Sequence, residues 1–281
     1  MKALLFGASG QLAHDLIARK PAGMELVPLV RKDLDVTDAG KVKETILAHR
    51  PDIVLNTAAF HKTDDCELDP VLTFKINAIA VRDIAESCAE AGSAFLHIST
   101  DYVFDGGKQP LPYREEDTPF PINTYGISKY AGEIYIRGLI EKYYIVRVAS
   151  LYGKAGASGK GGNFVYTILK KGREGQALKV IDDMFMSPTY THDAAQKIWE
   201  MVTSSLPYGT YHVTNSGSCS WYEFAKAILD IADVKANISA VPHTEYPTRA
   251  KRPLWSVLES RKGTGLRPWR EALEDFIRSV S

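Results

Sequence analysis

The chain opens with a strand, a glycine-rich turn and a helix in immediate succession, and this pattern restricts its fold more than any other. Residues 2–6 form a short apolar run that predicts a buried strand, and Gly7-Ala8-Ser9-Gly10-Gln11-Leu12-Ala13 follows at once. Gly7 permits a tight turn, and Gly10 lets backbone N–H groups approach a pyrophosphate at the helix N-terminus. The pattern favours a dinucleotide-binding turn. The alternative is an ordinary strand-to-helix turn built from small residues.

Short apolar runs continue to alternate with helical patterns through the first half of the chain. Such alternation is typical of an α/β fold with a Rossmann-type, doubly wound parallel sheet. Ligands of these sheets bind beyond the carboxyl ends of the strands, so Gly7, Ala58 and Thr100 are expected to meet at one crevice. Strands are predicted at 25–30, 52–57, 93–99 and 144–148, and helices at 75–91 and 125–140.

The end of the second predicted strand bears on the choice of cofactor. An acidic residue there would bind the ribose 2′-hydroxyl of NADH, whereas an arginine would bind the 2′-phosphate of NADPH. Arg31 and Lys32 stand at this position, which favours NADPH through charge-assisted contacts. Asp33 and Asp35 follow closely, so NADH stays open, and Asp35 is expected to belong to the cofactor site with Arg31.

A tyrosine and a lysine four residues apart suggest the chemistry. If Tyr125 and Lys129 lie on one helix, their side chains stand one turn apart on the same face. A neighbouring ammonium would lower the pKa of the phenol, and the hydroxyl of Thr100 could bind the same reacting oxygen. The trio suits proton transfer at a carbonyl or alcohol oxygen. The alternative is a solvated helix face that carries this spacing by chance.

Composition excludes several classes of function. The formal net charge of the 281 residues is zero, so binding to nucleic acid or to an anionic membrane surface is not expected. No apolar run reaches the length of a membrane-spanning helix, and no secretory signal is expected. Three widely spaced cysteines, Cys66, Cys88 and Cys219, predict reduced thiols in a cytoplasmic protein. No cluster of metal ligands is recognised, although the sequence leaves open whether a divalent metal assists.

The composition and patterning of the sequence change after residue 150. A cofactor-binding domain is predicted at 1–150 and a mainly substrate-binding domain at 151–281, with a segment near 178–203 returning to the first. Residues 154–162 are rich in glycine, and 237–256 are rich in proline and predicted to be irregular. A helix is expected at 220–232, with an apolar stripe that belongs to the core.

Thirteen segments, in order along nearly the whole chain, resemble the extended short-chain dehydrogenase/reductases, and among them the dTDP-4-dehydrorhamnose reductase family. They are GASGQL (7–12), DLDVTD (33–38), NTAA (56–59), DDCE (64–67), KINA (75–78), STDYVFDG (99–106), YGISKYAGE (125–133), RVASLYG (147–153), NFVYTIL (163–169), SPTYTHD (187–193), GTYHVTNSG (209–217), SWYEFA (220–225) and YPTRAKRPLWSVL (246–258).

The resemblance implies an oxidoreductase fold with a smaller C-terminal substrate-binding domain. It also implies that NADPH or NADH reduces the C4 keto group of a dTDP-6-deoxy-lyxo-hexos-4-ulose to give dTDP-L-rhamnose. The catalytic positions of the family fall on Thr100, Tyr125 and Lys129. Its cofactor positions include the last two and also Gly7, Gly10, Gln11, Leu12, Ala58, Ala59 and Asn77.

The departures from the family lie on the substrate side. Ser150 stands where the family commonly has a tryptophan that lies against the sugar, and Phe60-His61 replaces a histidine-threonine pair. Met184 and Met186 replace a glutamine and a glycine. The expected substrate contacts are His61, Asp101, Ser150, Arg249 and Arg252, although Arg249 to Arg252 could equally be a solvated basic loop.

Two other functions stay open at this point. One is an epimerase or dehydratase of the same superfamily, which keeps its NAD bound through each turnover. The other is a non-catalytic NADP-binding subunit, like the regulatory beta subunit of methionine adenosyltransferase. A homodimer is also open as an assembly.

Overall fold

The centre of the molecule is a parallel sheet. The computed structural model describes residues 1–107, 109–156, 162–204 and 206–280, so residues 157–161 of the glycine-rich stretch lie outside the described residues. Within these ranges the sheet has six parallel strands: β1 (Lys2–Phe6), β2 (Glu25–Leu29), β3 (Ile53–Asn56), β4 (Ala94–Thr100), β5 (Tyr143–Val148) and β10 (Gly209–His212). Their spatial order is β10-β5-β4-β3-β1-β2. The predicted α/β fold with a doubly wound parallel sheet is confirmed.

Both faces of this sheet are covered by helices, which explains why its strands are continuous apolar runs. Successive residues of β1 point to opposite faces: Ala3 and Leu5 join one buried cluster, and Leu4 and Phe6 join the other. The helices of this part are α1 (Gln11–Ala18), α2 (Ala39–His49), α3 (Thr63–Leu68), α4 (Pro70–Phe74), α5 (Ala80–Ala91), α6 (Thr124–Leu139) and α8 (Thr191–Thr203).

A third buried cluster lies among the C-terminal helices α7 (Phe164–Arg173), α9 (Trp221–Ile231) and α10 (Trp269–Arg278). The predicted core stripe of α9 is confirmed for Phe224, Ile228 and Leu229, which are buried in this cluster. Trp221, the fourth residue of that stripe, is partly buried and also lines the cavity described below. Short strands border the cluster: β6 (Leu151–Tyr152) pairs with β9 (Thr189–Tyr190), β7 (Leu178–Ile181) with β13 (Ile238–Val241), β8 (Phe185–Met186) with β12 (Cys219–Ser220), and β11 (Asn215–Ser216) with β14 (Leu266–Pro268).

Several elements differ from the sequence predictions. The helix predicted at 75–91 begins with a π-helical turn, Lys75–Ile79, before α5. The prediction that 237–256 is irregular is wrong for Ile238–Val241, which forms a strand because β7 offers it a partner. β10 was not predicted, and it extends the central sheet beside β5.

The segment 178–203 divides between the two parts of the molecule. α8 lies against α1 on the central sheet, and residues from both helices share one buried cluster. β7 instead pairs with β13 beside the C-terminal helices. The division into a cofactor-binding and a substrate-binding domain stays a prediction. No helix within the described ranges has the length and apolar character that crossing a membrane requires.

Candidate active site

A cavity of about 890 Å³ opens at the carboxyl ends of β1, β3, β4 and β5. Gly7, Ala58 and Thr100 all line it, so three strand ends meet at one crevice. The other predicted site residues in the lining are Gly10, Gln11, Leu12, Arg31, Asp35, Ala59, His61, Asp101, Tyr125, Lys129, Ser150 and Arg252.

Two predicted site residues do not line this cavity. Asn77 is fully buried behind the wall, where its amide bonds both backbone groups of Phe60 and donates to the Ser128 hydroxyl. These hydrogen bonds fix the loop after β3, so the Asn77 amide does not face the cavity. Arg249 is exposed outside the lining. The contributions of both residues to binding stay predictions.

The turn after β1 is shaped by a close approach between two loops. Gly7 has φ +76°, and a Cβ at this position would lie 2.5 Å from the backbone nitrogen of Ala58. Only glycine therefore lets the two loops touch. The N-terminus of α1 has no side-chain cap at Gly10, and the buried Oε1 of Gln11 has no hydrogen-bond partner among the described residues. The turn thus presents free backbone N–H donors to the cavity, as a dinucleotide phosphate site requires.

Local contacts fix the start of α6 and so place its first turn at the cavity. Asn123 caps the helix by accepting from the Gly126 N–H at 2.8 Å, and Glu67 accepts from the backbone and hydroxyl of Thr124. A Cβ on Gly126 would lie 2.1 Å from the carbonyl oxygen of Tyr102, so glycine lets α6 approach the loop after β4. Tyr125 and Lys129 then stand one turn apart in the cavity wall.

Tyr125 is held as a neutral phenol. Burial raises its pKa above the ordinary value, and a hydrogen bond with Thr100 acts in the opposite direction. The sequence predicts that Lys129 lowers the pKa of Tyr125, but in the structure the group that lowers this pKa is Thr100. The Thr100 hydroxyl in turn donates to the Asp101 carboxylate at 2.9 Å. The group at this point of the cavity is therefore a proton donor.

Lys129 is almost completely buried, and its amine contacts two atoms of β4. Its Nζ lies 2.8 Å from His97 Nε2 and donates to the Ile98 carbonyl oxygen at 2.7 Å. Burial lowers the pKa of Lys129 to about 7, and Glu133 acts in the opposite direction. Sequence reasoning missed His97. Its signal was a titratable side chain inside the apolar run Ala94-Phe95-Leu96-His97-Ile98.

Asp101 is a buried carboxylate at the cavity wall. Its Oδ2 has no hydrogen-bond partner within the part of the chain that the structure describes. Burial raises the pKa of Asp101 to about 6, and hydrogen bonds with Ser256 and Thr100 partly offset this rise. The folded protein therefore binds a proton more tightly than the unfolded chain does between about pH 4 and pH 6. Stability is lost as pH rises through this window, because the ionised carboxylate is paired poorly.

We expect Asp101→Asn to stabilise the protein at pH 7 by up to about 3 kcal/mol, since the amide copies the neutral carboxyl group. The gain should vanish near pH 4, where Asp101 is itself protonated. Urea unfolding at both pH values measures it. Asp105→Asn is the control with the opposite sign, because hydrogen bonds from Tyr113 and Gly107 hold the pKa of Asp105 low. Destabilisation by Asp101→Asn at pH 7 would contradict the assignment.

Charged pairs and aromatic rings line the two ends of the cavity. Near the end of β2, exposed Arg31 pairs with Asp35 at 3.4 Å, and Lys32 does not reach the lining. At the other side Arg252 bonds Asp64 at 2.9 Å, while its Nε is buried and has no hydrogen-bond partner in the described ranges. Beyond Ser150, which has φ +42°, the wall becomes aromatic: Tyr152, Phe164, Trp221 and Phe224.

Known proteins match this chain over its whole length. The family described as RmlD substrate binding domain matches residues 1–281. The spore coat polysaccharide biosynthesis protein SpsK of Bacillus subtilis is 40% identical, with 100% of this chain and 98% of the relative covered. A solved dTDP-4-dehydrorhamnose reductase from Bacillus anthracis, in complex with NADP, has a TM-score of 0.93 at 39% identity, covering 99% of each chain. A structure of the same enzyme from Clostridium acetobutylicum has a TM-score of 0.93 at 36% identity, covering 100% of this chain and 99% of that one.

Proposed function

Since this chain belongs to the RmlD substrate binding domain family, we propose that it is an NADPH-dependent reductase acting on the C4 keto group of dTDP-4-dehydrorhamnose to give dTDP-L-rhamnose. One observation carries the proposal. Tyr125 and Lys129 share with Thr100 the wall of a cavity whose other end is the glycine turn after β1. A proton donor and a phosphate cradle thus face one space, as a reductase needs. The relatives from Bacillus anthracis and Clostridium acetobutylicum, both named as dTDP-4-dehydrorhamnose reductases, support the choice of substrate.

The residues around the glycine turn fit a dinucleotide. The uncapped N-terminus of α1 would hold the pyrophosphate through its backbone N–H groups. Ala58 and Ala59 give a flat wall of small side chains against which the rest of the cofactor can lie. The NADP in the Bacillus anthracis structure supports this assignment.

The chain's own contribution to the reaction is proton transfer and orientation. When bound, NADPH supplies the hydride. Tyr125 donates its proton to the oxygen that develops negative charge. The Thr100 hydroxyl would bind the same oxygen by turning its proton from Asp101 to that oxygen. Burial of Tyr125 keeps the proton on the phenol until that charge appears. Lys129 in its ammonium form would then stabilise the tyrosinate left behind.

We expect Arg31→Ala to weaken NADPH binding by roughly 1.5–3 kcal/mol and to leave NADH binding nearly unchanged. Of the two cofactors only NADPH carries the 2′-phosphate with which the guanidinium can make charge-assisted bonds. The high exposure of Arg31 lets it turn from Asp35 toward such a phosphate. Titration of both cofactors by fluorescence measures the effect. Lys32→Ala is the matched control, because Lys32 lies outside the lining. Equal loss of both cofactors would mean that Arg31 does not read the 2′-phosphate.

We expect Ser150→Trp to tighten dTDP-4-dehydrorhamnose by about 0.5–1.5 kcal/mol, since the indole supplies the apolar face that Ser150 lacks. Steady-state KM values for wild type, Ser150→Ala and Ser150→Trp measure this, and the alanine variant should stay close to wild type. The contrary outcome is a tryptophan variant that binds dTDP-4-dehydrorhamnose no more tightly than wild type does, and fails to bind the sugar nucleotide that wild type reduces fastest. In that case the rhamnose assignment is wrong and only the reductase class survives.

An NADPH-oxidation screen tests the proposed function. The purified protein is mixed with NADPH and with dTDP-, UDP- or GDP-linked 4-keto-6-deoxy sugars in turn. The account predicts fastest oxidation with dTDP-4-dehydrorhamnose and release of oxidised cofactor in each turnover. An epimerase would interconvert the sugar without net oxidation, and a regulatory subunit would bind NADPH without turnover. Either result would reject the reductase.

A further inference from the structure

His97 links Lys129 of the candidate site, through the Asn56 side chain, to the backbone N–H of Ala58. The ring is fully buried, and burial together with the neighbouring Lys129 holds the pKa of His97 well below its usual range. The imidazole is therefore neutral and carries one ring proton. Its Nε2 lies 2.8 Å from Lys129 Nζ, and its Nδ1 lies 3.2 Å from Asn56 Nδ2.

The orientation of Asn56 decides where that ring proton sits. The Oδ1 of Asn56 accepts from the Ala58 N–H at 3.0 Å, so the amide group must turn its NH₂ toward His97. An NH₂ group can only donate, and Nδ1 must therefore accept. The proton of the imidazole then lies on Nε2 and points at Lys129. Flipping the amide would set its NH₂ against the Ala58 N–H.

A protonated Nε2 constrains the charge on Lys129. An ammonium has no lone pair, so two donors would face each other across 2.8 Å. A neutral amine accepts from Nε2–H and still donates to the Ile98 carbonyl oxygen. The other groups around it do not reverse this. Glu133, one turn further along α6, favours the ammonium, but its charge is already matched by Arg147 and Arg137. Tyr125, one turn earlier, is a neutral phenol.

We propose that Asn56 and His97 are positioning residues that hold Lys129 as a neutral amine in the cofactor-free protein. The ammonium that the reaction needs beside Tyr125 must then form by uptake of one proton from solvent. This uptake breaks the contact with His97, because both atoms become donors, and leaves Ile98 as the anchor of Lys129. The link to catalysis rests on the proposed function, whereas the tautomer of His97 belongs to the free protein.

The tautomer is read directly by nitrogen-15 NMR of histidine-labelled, cofactor-free protein near neutral pH. We expect the His97 proton on Nε2, with the signal assigned by its loss in His97→Gln. Asn56→Asp should move the proton to Nδ1, because a carboxylate accepts from both the Ala58 N–H and the ring. A wild-type proton on Nδ1 would overturn the proposal. This measurement needs no substrate, so its outcome is separate from that of the proposed function.

A second readout uses the pH dependence of the reduction. The oxygen of Gln in His97→Gln accepts from an ammonium, so the alkaline limb of kcat/KM should move up by about one pH unit or more. His212→Gln is the matched control, since His212 is also buried and neutral but contacts Arg147 and not Lys129. The control should keep the wild-type limb. An unchanged limb in His97→Gln, with the protein folded, would also overturn the proposal.

Discussion

Tyr125→Phe is expected to lower kcat at least about 100-fold, which corresponds to a loss of about 2.7 kcal/mol in transition-state stabilisation. The change removes the proton donor and almost no volume. Stopped-flow reduction with saturating NADPH and keto sugar measures it, and cofactor titration should give a nearly unchanged Kd. The hydroxyl of Tyr125, and not its ring, is the group that acts at the reacting oxygen.

Tyr130→Phe is the matched control for this variant. Tyr130 lies on the same helix but outside the lining of the cavity, so loss of its hydroxyl should leave kcat within about threefold of wild type. A Tyr125→Phe protein that turns over at nearly the wild-type rate would remove Tyr125 from the chemistry. A protein that also fails to bind NADPH would mean that the phenol serves cofactor binding.

Glu133→Leu is expected to destabilise the fold by about 3–5 kcal/mol, because it leaves the charge of Arg147 buried without a partner. Arg147 is 1% exposed, and it bonds Glu133 through Nε at 2.9 Å and Nη2 at 2.7 Å. A guanidinium cannot lose its proton to relieve the cost. Ser99 also donates to Glu133, so the cluster ties α6 to β4 and β5 directly behind the cavity.

Two further variants separate the buried pair from an exposed one. Arg137 also pairs with Glu133, but it is one-third exposed, so Arg137→Leu should cost no more than about 1 kcal/mol. The double variant Glu133→Leu with Arg147→Met should recover most of the loss, since no charge stays buried alone. Urea unfolding measures all three. A loss below 1 kcal/mol in Glu133→Leu would show that the pair does not stabilise the fold.

Much of the N-terminal half could be predicted from local sequence. The apolar run, glycine turn and helix of residues 2–18 form where expected because each depends on neighbours in the chain. The same is true of α6, whose cap Asn123 stands directly before Thr124, the first residue of the helix. Patterns of this kind can be predicted from sequence alone, because the hydrogen bonds that stabilise them join residues close together in the chain.

The rest depends on partners distant in the chain. β10 and β13 are short segments that become strands only because β5 and β7 offer them an edge. The pairing of Lys129 with His97 is of the same kind. The spacing of Tyr125 and Lys129 predicts that the ammonium acts on the phenol. It gives no sign that the amine instead contacts His97 of β4. Polar residues inside buried strands, such as Asn56 and His97, were the available signal.

Transfer of a labelled hydride tests the central claim most directly. The protein is incubated with dTDP-4-dehydrorhamnose and with NADPH deuterated at the transferable position of the nicotinamide, and the products are examined by NMR and mass spectrometry. The account predicts one deuterium at C4 of dTDP-L-rhamnose and one oxidised NADP released for each sugar reduced. Recovery of unlabelled sugar, or of an epimer with the reduced cofactor unchanged, would contradict it.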